Sequence, residues 1–112
     1  MLDPIAGSLE RYMDLLSARQ KLVASNIANA DTPGYKTKDI DFQAEFRSLI
    51  AGGAPDVKEV GGLGTKHDGN NVSVDREARL LAENAIRFTV ATNLMRTEIR
   101  AVRNAIDEGK SA

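Results

Sequence analysis

The chain has 112 residues, 15 Lys and Arg against 16 Asp and Glu, and a formal net charge of −1, with acids and bases well mixed along its length. That balance gives no broad field for nucleic acid or anionic lipid, and three Phe, two Tyr and no Trp leave no stacking surface for bases. Cysteine is absent, which excludes disulfides and thiol chemistry; no segment approaches the roughly 20 apolar residues of a bilayer span, and the length predicts a single domain over 1–112 with a modest core.

Met1-Leu2-Asp3-Pro4-Ile5-Ala6-Gly7-Ser8 opens with an acid rather than a basic region, and Glu10, Arg11 and Asp14 interrupt the apolar positions that follow. It does not read as a cleavable export signal. Ile5, Leu9, Tyr12, Leu16, Arg19, Val23 and Ile27 recur at spacings of four and three, which predicts an amphipathic helix over 3–28. Asp3 before Pro4 suits an N-cap followed by proline at the first helical position. Leu15, Leu16, Leu22 and Val23 widen the stripe enough to meet more than one helix.

The pattern then breaks at Asn26-Ile27-Ala28-Asn29-Ala30-Asp31-Thr32-Pro33-Gly34-Tyr35-Lys36. Pro33 disfavours helical geometry at Thr32, and Gly34 can take the positive φ that a type II turn requires after proline. After this turn the segment 29–50 continues as a short extended or helical stretch. Tyr35 to Ile40 suit extended chain, while Phe42, Phe46 and Leu49 or Ile50 fit a short helix with Asp41 as its cap. Between 51 and 70 the glycines 52, 53, 61, 62, 64 and 69 and Pro55 predict a flexible linker, with Val57 to Val60 as a transient strand.

Asp68-Gly69-Asn70-Asn71 is a second turn, leading through Val72 into a long helix over 75–108. Ala78, Leu81, Ala85, Phe88, Thr92, Met95, Ile99, Val102 and Ile106 alternate at three and four, with no proline or glycine between them. At ~1.5 Å per residue this helix spans on the order of 50 Å, more than a compact domain of this mass requires. Its narrow stripe calls for coiled-coil or bundle packing, within the chain or between chains. Asp75 is the expected cap, Glu77 adds favourable charge in the first turn, and Gly109 offers a stop. The predicted fold class is therefore all-α: long N- and C-terminal amphipathic helices packed as an antiparallel pair, bundle or coiled coil, joined by an irregular Gly-rich middle.

Catalytic chemistry is hard to assemble from these residues. His67 is the only histidine and sits in the glycine-rich tract, where a solvated loop position accounts for it better than metal binding or catalysis. Asp68-Gly69-Asn70-Asn71-Val72-Ser73-Val74-Asp75 is rich in oxygen but lacks the twelve-residue spacing ending in a bidentate Glu that a calcium loop needs. Gly61-Gly62-Leu63-Gly64 has no following Lys-Ser or Lys-Thr and no convincing strand before it, so it is a poor phosphate cradle. Lys36, Lys38 and Arg47 alternate with Asp39, Asp41 and Glu45, a mixed solvated face. Neither a cofactor, a metal nor a small-molecule substrate is expected.

The stretch Asn26 to Lys36 resembles the N-terminal motif of flagellar basal-body rod proteins. Lys38-Asp39-Ile40-Asp41-Phe42 directly after it, and Asp68 to Glu77 before the terminal helix, narrow the likeness toward the proximal rod. The resemblance covers both ends of the chain; the glycine-rich middle is shorter than the family pattern.

It implies a non-enzymatic structural subunit of the proximal rod of the bacterial flagellar basal body, in the periplasm. Its terminal helices would help to transmit torque from the membrane ring to the hook. Implied partners are the chain itself, other rod proteins, membrane-ring or export-gate components and the flagellar type III apparatus, which exports such proteins without signal cleavage. By the same implication, Asn26, Ile27, Ala28, Asn29, Thr32, Pro33, Gly34, Tyr35 and Lys36 form a junction that contacts neighbouring subunits, with Asp68, Gly69, Asn70, Asn71 and Val72 as a second motif. Ile5, Leu9, Leu16, Val23 and Ile27 would face a seam of Leu81, Phe88, Met95, Ile99, Val102 and Ile106.

A cytoplasmic helical adaptor is the competing expectation. It explains the amphipathic stripes but not the Asn-Ala-Asp-Thr-Pro-Gly-Tyr junction, and localisation separates the two. The narrow stripes also predict a marginal monomer whose helices become fully ordered on assembly.

Overall fold

The structure, a computed structural model, describes residues 4–48 and 53–111. The expected Asp3 cap and the Leu49 or Ile50 end of the short helical stripe lie outside the described residues. Along the chain come α1 (Pro4–Ala28), β1 (Lys38–Ile40), α2 (Phe42–Arg47), β2 (Val57–Glu59) and α3 (Val74–Ser111). Helices dominate, α1 with 25 residues and α3 with 38, and the molecule extends 71 × 25 × 17 Å.

The two long helices pack as an antiparallel pair. Asn26 near the end of α1 lies against Glu77 at the start of α3, Gln20 meets Asn84, and Leu9 and Tyr12 share a groove with Val90 and Leu94. Leu15, Leu16 and Val23 of α1 are fully buried with Leu80 and Ala91 of α3, and Ile40 and Val72 close the junction end of this core. Since α3 is the longer helix, its last part passes beyond α1, and from residue 99 to 110 every side chain is exposed.

The C-terminal helix departs from expectation at both ends. Its cap is Ser73 rather than Asp75: the Ser73 Oγ accepts the Arg76 N–H at 3.2 Å, and the Ser73 carbonyl takes the first helical bond from Glu77 N at 3.0 Å. Serine is as good an N-cap as aspartate, and using it leaves Asp75 and Glu77 in the first turn, where negative charge is favourable. Gly109 does not stop the helix but lies within it, because its φ is not positive and nothing there demands a left-handed turn.

The middle is short and irregular, as expected, and carries one small two-stranded sheet. β1 and β2 pair antiparallel, with Lys38 opposite Glu59, Asp39 opposite Lys58 and Ile40 opposite Val57, so opposite charges face each other at two of the three positions. Between the strands α2 is capped by the Asp41 carboxylate, which accepts the Ala44 N–H. Phe42 and Phe46, one turn apart, set their rings edge-on to Tyr12 of α1 at 5.3 and 5.5 Å. Within the expected linker, residues 66–71 are tied down by hydrogen bonds: Lys66 N donates to Asn70 O, Gly69 N to Lys66 O and Asn71 N to Tyr35 O.

Candidate assembly site

Both sequence motifs meet at the hinge between α1 and α3, and Asn26 is their centre. It sits on the last turn of α1, 1 % exposed, and its amide is fully used. Nδ2 donates to Lys38 O at 2.8 Å and to Glu77 Oε1 at 2.7 Å, while Oδ1 accepts from Lys38 N at 3.1 Å and from the Tyr35 hydroxyl at 3.0 Å. One side chain thus pairs with a strand residue as another strand would, and also reaches the other long helix. A carboxamide supplies two donors and two acceptors in one plane, which no other residue of this size does.

The turn that follows has the predicted form. Tyr35 N donates to Thr32 O at 3.2 Å, and Gly34 takes φ +76°, the type II position after Pro33. Gly34 N donates across to Asp68 O at 2.9 Å, which brings in the second motif. Gly69 (φ +87°) lies so near that a Cβ there would stand 3.4 Å from Gly34 Cα; the two turns pack glycine on glycine. Asn70, with no exposed surface, donates from Nδ2 to Asn29 O and Thr32 O at 2.9 and 2.8 Å, closing the open end of α1, and accepts Val72 N at its Oδ1. Asn71 Oδ1 accepts the Thr37 N–H at 2.6 Å, and the Lys36 ammonium reaches Gly69 O.

Beside this junction lies a buried ionic cluster. Arg19 of α1 makes a two-pronged contact with Asp39 of β1, Nε to Oδ1 at 3.1 Å and Nη2 to Oδ2 at 2.9 Å. Arg76 of α3 reaches the same Asp39 Oδ2 at 2.7 Å and the carboxylate of Glu77 at 3.0 Å. Burial by itself pushes the Asp39 carboxyl up, but hydrogen bonds from Arg19, Arg76 and the Ile40 N–H outweigh it and hold the group below the ordinary carboxylate range. Glu77, fully buried, is satisfied by Arg76 and Asn26. A Glu this deep is tolerated only because both its partners come with the fold.

The expected site residues fall into three groups. Asn26, Asn70, Asn71 and Val72 are buried; Asn29, Tyr35, Lys36 and Gly69 are half-buried in the junction; Ile27, Ala28, Thr32, Pro33, Gly34 and Asp68 are exposed on its outside. Of the helix-packing set, Leu16 and Val23 are buried and Leu9 and Met95 half-buried. Ile5, Ile27, Leu81, Phe88, Ile99, Val102 and Ile106 are exposed in the single chain; packing between chains, the other arrangement the stripes allow, is open to them. The reason is rotation and length. The face of α3 that meets α1 runs through Glu77, Leu80, Asn84 and Ala91, anchored by Glu77 to Asn26 and by Asn84 to Gln20, and by that register Val102 and Ile106 lie past the first residues of α1.

Two apolar margins result. On one side Leu81 and Phe88 stand exposed, Phe88 beside Leu16. On the other, Ile86, Val90 and Leu94 of α3 face Ile5, Leu9 and Tyr12 across a groove of about 620 Å³. Thr92, a polar interruption of the stripe, donates its hydroxyl to Phe88 O at 2.8 Å and so leaves no unsatisfied group there. Arg19, Asp39, Arg76, Gln20 and Asn84 were not expected as site residues. The one signal for them was Arg19 standing at an apolar position of the α1 stripe; Glu77 reads from sequence as a helix-start charge only.

Among the described residues no group of three or more His, Cys, Asp or Glu is placed to hold a metal, and no helix is long and apolar enough to cross a membrane. His67 is exposed in the loop before Asn70. A hinge built from backbone-satisfying amides, carrying two helices with uncovered apolar margins, defines an assembly subunit. Residues 13–36 match the family described as "Flagella basal body rod protein". The flagellar basal body rod protein FlgB of Borrelia hermsii is 34% identical over 122 positions, covering 86% of this chain and 90% of that protein. FlgB of Escherichia coli K12 is 29% identical, covering 97% and 99%, and FlgB of Salmonella typhimurium is 29% identical with the same coverage. The chain belongs to the FlgB family of flagellar basal body rod proteins, and it is a structural subunit, not an enzyme. The alignment with the Escherichia coli protein runs over 137 positions, more than the 112 residues here, so that relative carries residues this chain lacks.

Proposed function

We propose that this chain is a subunit of the proximal rod, which joins its neighbours through α1 and α3 and helps to pass torque from the membrane ring to the hook. The carrying observation is the last part of α3: Ile99, Val102 and Ile106 are 48, 45 and 53 % exposed. Contiguous apolar surface of this kind marks an interaction face. The margins at Phe88 and at Val90 lie on opposite sides of the α1 contact, which favours a neighbour on each side and hence an extended array over a closed pair. Many such contacts along a long interface resist shear, because slipping one subunit disrupts packing along its whole length.

The partners we propose are further copies, other rod proteins, and membrane-ring or export-gate components, in the periplasm, reached by type III export without signal cleavage. The domain plan we propose is one rod-protein unit over 1–112. The outer face of the junction, Ile27, Ala28, Thr32 and Pro33, is the part of the first motif open to neighbouring subunits, and the exposed helix-packing residues contact them rather than each other.

Electron microscopy of envelopes from a strain deleted for the gene, beside the complemented strain, tests this. Basal bodies that stop at the membrane ring, with rod and hook restored on complementation, are the expected result. Complete basal bodies without the protein would overturn it.

A further inference from the structure

Helices that pack through aliphatic side chains at three and four residue spacings can meet in more than one register. Leu9, Leu16 and Val23 repeat every seven residues on α1, as do Leu81, Phe88, Met95 and Val102 on α3. That α3 set flanks the face that now meets α1, so turning α3 about its axis, with or without a slide of seven residues, roughly 10 Å, would lay apolar on apolar in another arrangement. Dispersion and hydrophobic burial, being non-directional, discriminate weakly between such arrangements.

The polar groups of the same interface do not tolerate a slide. Glu77 takes Asn26 Nδ2 at 2.7 Å and Arg76 Nη1 at 3.0 Å, and Asp39 holds Arg19 of α1 and Arg76 of α3 at 2.9 and 2.7 Å. One heptad along α3, buried Asn84 donates to Gln20 Oε1 at 3.1 Å. These contacts agree on one alignment. Moving α3 by a single turn, about 5.4 Å, would break every one of the contacts between the helices, leaving buried Glu77 with Arg76 alone and Asp39 with Arg19 alone.

We propose that Arg19, Asp39, Arg76, Glu77 and Asn26, with the Gln20 to Asn84 rung, select one register of α3 on α1 and so set how much of α3 is left uncovered beyond α1. The use of that uncovered length by neighbouring subunits rests on the rod assignment; the register itself does not. A polar group placed in an apolar helix interface to fix alignment is the best-attested role for buried polar residues. Here it is divided among two helices and a strand, so β1 is the gauge against which both helices are set.

The chain contains no cysteine, so Asp14→Cys and Thr97→Cys, both at exposed positions outside the cluster, allow a nitroxide pair to report the axial offset by pulsed electron spin resonance. The isolated chain should give one narrow distance. Asp39→Asn, and an apolar set of Arg19→Met, Asp39→Leu, Arg76→Met and Glu77→Leu, should remain helical by circular dichroism yet show a second population displaced by about 5 Å or more. The apolar set should keep or raise its melting temperature, which separates register from stability.

A helical variant with the parent's single distance would overturn the proposal and assign the register to the asparagine junction instead. Loss of helical folding in both variants would overturn it as well, because a register lock presupposes competing folded registers. Absence of the parent chain from purified basal bodies would sink the rod assignment and leave the spin distances unaffected.

Discussion

Asn26→Ala removes the centre of the junction while leaving the helix propensity of α1 intact or improved. Four hydrogen bonds vanish, three with neutral partners and one with the Glu77 carboxylate. A neutral hydrogen bond contributes about 1 kcal/mol net and one to a charged group about 1.5–3 kcal/mol. The Lys38 bonds face a partly open edge where water can replace the amide, but Glu77 has no exposed surface and keeps only Arg76. Discounting the solvent-accessible bonds, the loss should be about 3–4 kcal/mol, in the range reserved for broken buried networks. Against a total of about 5–15 kcal/mol that is a large fraction. Urea denaturation followed by circular dichroism on dilute chain would measure it, with Ile27→Ala, 37 % exposed and next in sequence, as the control expected to change stability by less than about 1 kcal/mol. A loss below about 1 kcal/mol for Asn26→Ala, or equal losses for the two, would refute the view that the motif holds the fold from within.

The Asp39 contribution should depend on pH with a definite sign: its folded pKa is lowered, so its stabilisation is present above the unfolded value of about 3.9 and fades as pH falls through the folded one. The stability gap between the parent and Asp39→Asn should be flat from neutral pH down to about 5 and shrink below about 4; a gap that widens with acid, in a urea series across pH, would contradict this. Gly69→Ala should lose about 1–2 kcal/mol from its positive φ alone, with close contact to Gly34 adding to it, whereas Gly64→Ala, in open space, should leave thermal melting almost unchanged. Phe88→Asp and Ile106→Asp, at 41 and 53 % exposure, should shift monomer stability by no more than about 0.5 kcal/mol while reducing rod assembly, counted as hooks per cell. Normal hook numbers would remove those side chains from the interface.

The two long helices were legible because periodicity at three and four is a local signal, and the type II turn because Pro33 and Gly34 each restrict φ in a known way. The rotation of α3 about its axis was not. Counting hydrophobic positions places Leu81 and Phe88 in the seam, yet the buried face carries Glu77 and Asn84, residues that by type belong outside. Their burial depends on Asn26, Arg76 and Gln20 arriving from elsewhere in the chain. No local rule reports that a Glu in a helix's first turn will meet an Asn 51 positions earlier. The glycine-rich middle misleads for a related reason: Gly69 is there to let two turns touch, which reads in sequence as freedom and in the structure as close packing.

Asparagine carries the junction because it alone can stand in for backbone. Asn70 adds a second donor to Asn29 O and Thr32 O just past the end of α1, and Asn26 pairs both backbone groups of Lys38 at the start of β1. Aspartate in either place would offer acceptors where donors are needed, and leucine would offer neither. The inward use of Asn26, Asn70 and Asn71 also accounts for the division of the surface. Polar recognition is concentrated inside the hinge, and the exposed large hydrophobic side chains left for a neighbour are mostly along both flanks of α3 and toward its end. A subunit made this way leaves the flanks and the last part of its long helix to be buried by others, so the ordering expected on assembly should be greatest there. Amide exchange on the isolated chain should accordingly show slow exchange on both sides of the hinge and fast exchange from 99 to 110; uniform protection along α3 would mean that the helix needs no neighbour at all.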